Sequence, residues 1–135
     1  MTTIRALPTP NAPHHPACSP VAAIEEVVRT PDSIVIVDEA YIDFAEPNAS
    51  CVPLTKKYDN VIVVQTFSKS HNLAGARVGF CVANPELIAD MNRIKFSYSP
   101  YNVNSLSQLP PWPPWRMRIT SVIRWARSAP PAPTQ

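Results

Sequence analysis

Four β-branched residues in succession, Ile34-Val35-Ile36-Val37, run directly into Asp38. An apolar run of this length without alternation is the pattern of a strand buried on both faces, which points to a parallel sheet with covering helices. The theme repeats downstream. Val61-Ile62-Val63-Val64 leads to Thr66, and Arg77 to Ala83 reads as a third strand. The intervening segments have helical spacing. Ser19-Pro20 opens one helix, with Ser as N-cap and Pro at the first helical position; Ala22 or Val21, with Ile24, Val27 and Val28, forms its apolar stripe, and Glu25 and Glu26 face away. Asn84-Pro85-Glu86 opens another, in which Leu87, Ile88, Met91 and Ile94 are expected to pack in the core. Leu54 to Tyr58 is a short helix at most, and Lys56 and Lys57 read as solvated charges. The expected fold is α/β, with three parallel strands and covering helices.

The chemistry-bearing residues fall at the strand ends, where open α/β sheets bind ligands. Lys69 lies just past the second strand among small hydroxyl residues, Thr66, Ser68 and Ser70, and Arg77 follows eight positions later. A lysine amine can form a Schiff base with a carbonyl. Hydroxyls and a guanidinium hold phosphate. Together they suit an aldehyde bearing a phosphate, which describes pyridoxal phosphate (PLP). That cofactor also needs a carboxylate against its pyridine nitrogen and donors near its phenolic oxygen. Asp38 and Tyr41 supply those groups at the end of the first strand. Read alone, Asp38 also suits a strand-end cap or turn.

Asp38-Glu39-Ala40-Tyr41-Ile42-Asp43-Phe44, then Thr66-Phe67-Ser68-Lys69, then Leu73-Ala74-Gly75-Ala76-Arg77-Val78-Gly79, resembles a fold-type I PLP-dependent aminotransferase of class I/II. Pro100-Tyr101-Asn102-Val103-Asn104-Ser105-Leu106-Ser107-Gln108 is similar to a stretch of the histidinol-phosphate aminotransferases. The resemblance implies part of the large domain of such an enzyme, over residues 20–108. It implies that Lys69 carries PLP and moves a proton at the substrate α-carbon. Asp38 would pair with the pyridinium nitrogen, Tyr41 and Asn11 would hold the ring oxygen, and Ser68 and Arg77 would bind the phosphate. Thr66 is a further phosphate candidate that also ends the strand. Asn11 belongs to Pro10-Asn11-Ala12-Pro13, which is similar to the family's asparagine loop, although His14-His15 stands where that loop has Thr-Gly. The substrate would be a phosphorylated amine or amino acid with 2-oxoglutarate or glutamate as the counterpart, in histidine biosynthesis, and the family works as a homodimer. The family's phosphate loop before the asparagine and its small domain are expected to lie outside these 135 residues, so that the chain alone does not complete the site. Other readings are an inactive PLP-binding remnant, a related decarboxylase or other aminotransferase, and a small interaction protein.

The chain ends have a different character. Seventeen prolines and only two glycines mark the composition, and the prolines cluster at the termini. Residues 1–19 read as a Pro-rich, disordered leader carrying a remnant of the cofactor loop. Residues 109–135 form a Pro/Trp/Arg-rich tail, disordered or out of frame. The resemblance implies an Ala/Leu-rich helix here, and a coding stretch for Ala-Ala-Leu-Ala-Ala-Met such as GCC GCC CTG GCC GCC ATG, read one base later with G following, would give the Pro-Pro-Trp-Pro-Pro-Trp of positions 110–115. The competing reading is a recognition tail for a proline-binding or anionic partner. A net charge of +2 is too small to imply nucleic acid or an anionic membrane, and no apolar run suits a membrane helix. Three scattered cysteines, Cys18, Cys51 and Cys81, fit reduced thiols in a cytoplasmic protein and no metal site.

Overall fold

The structure, a computed structural model, describes residues 2–10, 19–98 and 101–108. Strands β1 (Thr3–Pro8), β2 (Ser33–Asp38), β3 (Val61–Thr66) and β4 (Gly79–Ala83) form one sheet in that order. β1, β2 and β3 are parallel, and β4 is antiparallel to β3. Helix α1 (Val21–Val28) connects β1 to β2, α2 (Pro85–Tyr98) follows β4, and α3 (Ser105–Gln108) is a single turn. The fold is therefore α/β with a mostly parallel sheet, as the apolar runs predict.

The core lies on one face of the sheet. Register pairs Val35 with Val61 and Val37 with Val63, and all four valines are fully buried. Ile24 and Val28 of α1 pack on this patch with Cys51 and Leu54, the latter within a 3-10 turn, Val52–Lys56. Full burial of each such side chain contributes about 2 kcal/mol. Asn60 locks the layers together: its amide donates to the carbonyl of Val28 and to that of Ser33, both at 2.9 Å. One side chain thus satisfies a helix C-terminal carbonyl and the start of β2.

Several expectations change. Ile34 and Ile36 are only half-buried, so β2 is not enclosed on both faces among the described residues. Thr3–Pro8 is not a disordered leader but a strand paired with β2 from Thr3↔Ser33 to Pro8↔Asp38. Its side chains are nearly all exposed, with Leu7 packed against the core, so it lacks the long β-branched run of β2 and is held mainly by its backbone ladder. The strand after Lys69 is not parallel. The connection from Thr66 to Gly79 holds only a 3-10 turn, Ala74–Ala76, and no crossover helix of the kind that usually carries a chain back for parallel pairing. Gly79 has a specific reason: a Cβ there would meet the Gln65 carbonyl oxygen at 2.8 Å.

The helix starts also differ. α1 begins at Val21, one residue later than Ser19-Pro20 implies, and Pro20 precedes it without a side-chain cap. Glu25 does not face away; it accepts hydrogen bonds from Lys57, Tyr58 and Arg29, so Lys57 is a paired charge. α2 starts as expected, with the Asn84 side chain accepting from the Leu87 N–H at 2.9 Å. Ile88 is buried, but Ile94 is 68% exposed, so the apolar spacing of this helix overstates its core face. Among the described residues no helix is long and apolar enough to cross a membrane.

Candidate functional site

β2 and β3 deliver the predicted side chains to the C-terminal edge of the parallel strands. Asp38 closes β2 and is exposed; one of its oxygens accepts the Ala40 N–H at 3.0 Å. This bond turns the chain out of the sheet, so the turn role read as an alternative is present in fact. Asp38 is in register with Val64, and Thr66 lies two residues beyond Val64. By strand parity Asp38 and Thr66 share the face opposite the valine core.

Past Thr66 the chain folds into a compact loop. The Thr66 hydroxyl accepts the Ser68 N–H at 3.1 Å and lies 3.0 Å from the Ser68 hydroxyl. Phe67 turns inward, 6% exposed, and stacks near Phe80 with centroids 5.4 Å apart. Its backbone closes the loop by bonding Val78 and Leu73. With Phe67 anchored, Lys69 projects outward, and its Nζ sits 5.0 Å from the ring centroid of Tyr41. An exposed cation–π contact of this kind contributes about 0.5–1 kcal/mol. Tyr41 precedes the 3-10 turn Ile42–Phe44, so the two loops that follow β2 and β3 meet at this amine.

Arg77 is not the first residue of a strand. It has left-handed backbone, φ 56° and ψ 42°, and ends the 3-10 turn Ala74–Ala76. Its guanidinium donates to the Ala74 carbonyl at 3.1 Å, which leaves further N–H groups for an anion. Left-handed geometry in a non-glycine residue costs roughly 1 kcal/mol. Asn11 lies outside the described residues, as do His14, His15, Cys18 and the 109–135 tail. The described chain reaches Pro10, two residues beyond the register partner of Asp38.

Other groups join the site that the sequence reading did not single out. Glu39 is 1% exposed, and its carboxylate accepts from the Ser50 hydroxyl at 2.9 Å, the Cys51 N–H, and the Gln65 amide at 2.7 Å. Strand parity carried the signal: if Asp38 lies on the open face, its neighbour points to the core. Asp43 accepts a hydrogen bond from the Ser70 hydroxyl, and the Ser70 oxygen lies 2.9 Å from His71 Nδ1. This is not a hydrolytic triad, because serine and carboxylate both face Nδ1, whereas a triad uses the two ring nitrogens separately. The Ser107 hydroxyl donates to the Ala76 carbonyl at 2.9 Å, and the Asn104 side chain accepts from the Ser107 N–H, also at 2.9 Å. The segment 101–108 is thereby tied to the loop carrying Arg77.

A cleft of about 540 Å³ lies at the opposite end of the strands, lined by Arg29, Asp32, Tyr58 and Asn60 among others. It shares no residue with the strand-end groups above. Beside it Glu25 is held well below the usual carboxylate range, at about 2, first by the Lys57 hydrogen bond and then by that from Tyr58.

Comparison with known proteins bears on these positions. The family model for aminotransferase class I and II matches residues 11–109. A histidinol-phosphate aminotransferase of Brachyspira hyodysenteriae is 50% identical over 98 residues, covering 73% of this chain and 27% of the relative. The chain thus spans about a quarter of that protein's length. Among solved structures, the histidinol-phosphate aminotransferase of Sinorhizobium meliloti in complex with pyridoxal-5'-phosphate is similar with a TM-score of 0.60 and 26% identity, over 67% of this chain and 25% of that one. The L-threonine-O-3-phosphate decarboxylase of Porphyromonas gingivalis is similar with a TM-score of 0.65 and 25% identity, over 78% of this chain and 31% of that one.

Proposed function

Because the chain belongs to the class I and II aminotransferases, we propose that it carries part of the cofactor-binding half of a PLP-dependent transaminase site. The observation that carries this reading is the Lys69 amine held over the Tyr41 ring at the strand edge where Asp38 also ends. The donor set fits the group. It offers an amine for an aldehyde, a carboxylate for a ring nitrogen and a phenol for a ring oxygen. Two hydroxyls and a guanidinium are available for a phosphate.

PLP, when bound, supplies a carbonyl that captures an amine and a ring that takes up electrons from the substrate α-carbon. Lys69 would hold the carbonyl carbon, and its Nζ, once displaced by the substrate amine, would take up and return a proton at the α-carbon. Asp38 would keep the ring nitrogen protonated. Tyr41 and Asn11 would donate to the ring oxygen. Ser68 and Arg77 would bind the phosphate, and Thr66 orients Ser68 through the bonds already described. Residues 20–108 would be the large-domain portion, flanked by the Pro-rich segments.

The amine substrate proposed for the whole protein is histidinol phosphate, with 2-oxoglutarate as acceptor and a homodimer as the working form. The likeness to histidinol-phosphate aminotransferases supports this. The similarity to a phosphothreonine decarboxylase favours a second reading, an enzyme of the same fold that removes carboxylate from a phosphorylated amino acid. Titration with PLP, followed by visible absorbance, tests the cofactor reading. The native chain should develop a Schiff-base band that Lys69→Ala abolishes. An unchanged band in Lys69→Ala would sink it. Assays of the full-length protein with histidinol phosphate and with phosphothreonine separate the two substrates.

A further inference from the structure

The group Asp43, Ser70 and His71 has no part in the roles just assigned, yet it joins the same two loops as the Lys69–Tyr41 contact. Asp43 lies two residues after Tyr41, within the 3-10 turn Ile42–Phe44. Ser70 and His71 follow Lys69 directly. Hydrogen economy fixes the protons. Ser70 has one hydroxyl hydrogen, and it goes to the Asp43 carboxylate. The 2.9 Å contact from Ser70 to His71 must then be donated by the ring, so Nδ1 carries a proton. That Nδ1–H also lies 3.7 Å from Asp43, within ion-pair reach when the ring is charged. The imidazole is braced from behind by the Phe67 ring, edge on, with centroids 5.3 Å apart. Phe67 is itself buried, so the brace connects to the core.

We propose that Asp43 is a positioning residue, which fixes the Lys69 loop through Ser70 and His71 and so holds the Lys69 amine over Tyr41. The proposal rests on the reading of Lys69 as the amine that takes the cofactor's carbonyl. A single exposed cation–π contact is too weak to localise a four-carbon side chain on a loop. A second tether between the same loops, with a charged acceptor, restricts the backbone on both sides of the contact. Bond by bond the path runs from the turn carrying Tyr41, through Asp43, to Ser70 beside Lys69.

Competitive acetylation of the full chain tests this without any cofactor. Limiting acetic anhydride is added, and label at Lys69 is read by peptide mass spectrometry relative to Lys56, which is exposed at the end of the 3-10 turn Val52–Lys56. An ammonium held on an aromatic face reacts more slowly than a free one. Asp43→Ala and Ser70→Ala should each raise the Lys69 to Lys56 ratio about two- to fivefold, the factor that an exposed cation–π contact represents. Tyr41→Leu should raise it to the same extent. Ser70→Thr keeps the hydroxyl donor and should leave the ratio near native. The Ser70 pair decides the matter if Asp43→Ala disturbs folding. A flat ratio across Asp43→Ala and Ser70→Ala, or a Ser70→Thr chain that behaves like Ser70→Ala, overturns the positioning role. Neither result touches the cofactor reading, which fails separately if the native chain forms no Lys69 adduct with PLP.

Discussion

At the scale of single residues, the site combines groups kept for chemistry with groups kept for geometry. Arg77 separates the two. Its left-handed backbone favours glycine, while its guanidinium is a proposed anion contact. Arg77→Gly relieves roughly 1 kcal/mol of backbone strain and loses a hydrogen bond of about the same value. The substituted chain should unfold in urea within about 0.5 kcal/mol of native, by this cancellation. Its affinity for PLP should nevertheless fall at least tenfold, the scale of a lost charge-assisted phosphate contact. Glu39 shows the reverse balance. Removing its carboxylate strands the Ser50 hydroxyl, the Cys51 N–H and the Gln65 amide, so Glu39→Ala should cost about 3 kcal/mol in urea unfolding at pH 7. The residue types Lys69, Tyr41, Thr66 and Ser68 were legible in the sequence because they cluster after apolar runs. The hydrogen bonds that orient them were not. Asp43 reaches Ser70 across 27 positions, a distance that no local pattern encodes.

At the scale of elements, β2 and β3 were legible because buried valines in register need unbroken β-branched runs. β1 was not, since an exposed edge strand bonded through its backbone leaves only a Pro- and Arg-containing segment to read. The direction of β4 was equally hidden, because loop conformation sets it and strand composition does not. Between elements, Glu25 ties α1 to the segment holding Lys57 and Tyr58. Its carboxyl is lowered from 4.5 to about 2, so the tie contributes stability at pH values above 4.5. That contribution should be lost as pH falls from 4.5 towards 2, and salt should weaken it because the partners are exposed. Melting curves of the native chain and Glu25→Gln should converge over this interval. A constant gap between them would contradict the assignment.

At the scale of the whole molecule, the sheet is covered on one face by α1 and the Val52–Lys56 turn, while Ile34 and Ile36 opposite are half-buried and Ile4 is 67% exposed. Register places Ile4 beside Ile34 and Ile36 beside the buried Ile62, so among the described residues a partly exposed apolar patch lies next to an unpaired β1 edge. The 135-residue chain expressed alone should therefore self-associate on gel filtration. A monomer with a sharp cooperative melt would contradict that expectation. The whole account turns on whether Lys69 is the cofactor amine. The most direct measurement is borohydride reduction of the chain after incubation with PLP, followed by peptide mapping. The account predicts a reduced adduct confined to Lys69. Adducts spread over Lys56, Lys57 and Lys95, with none favoured at Lys69, would contradict it.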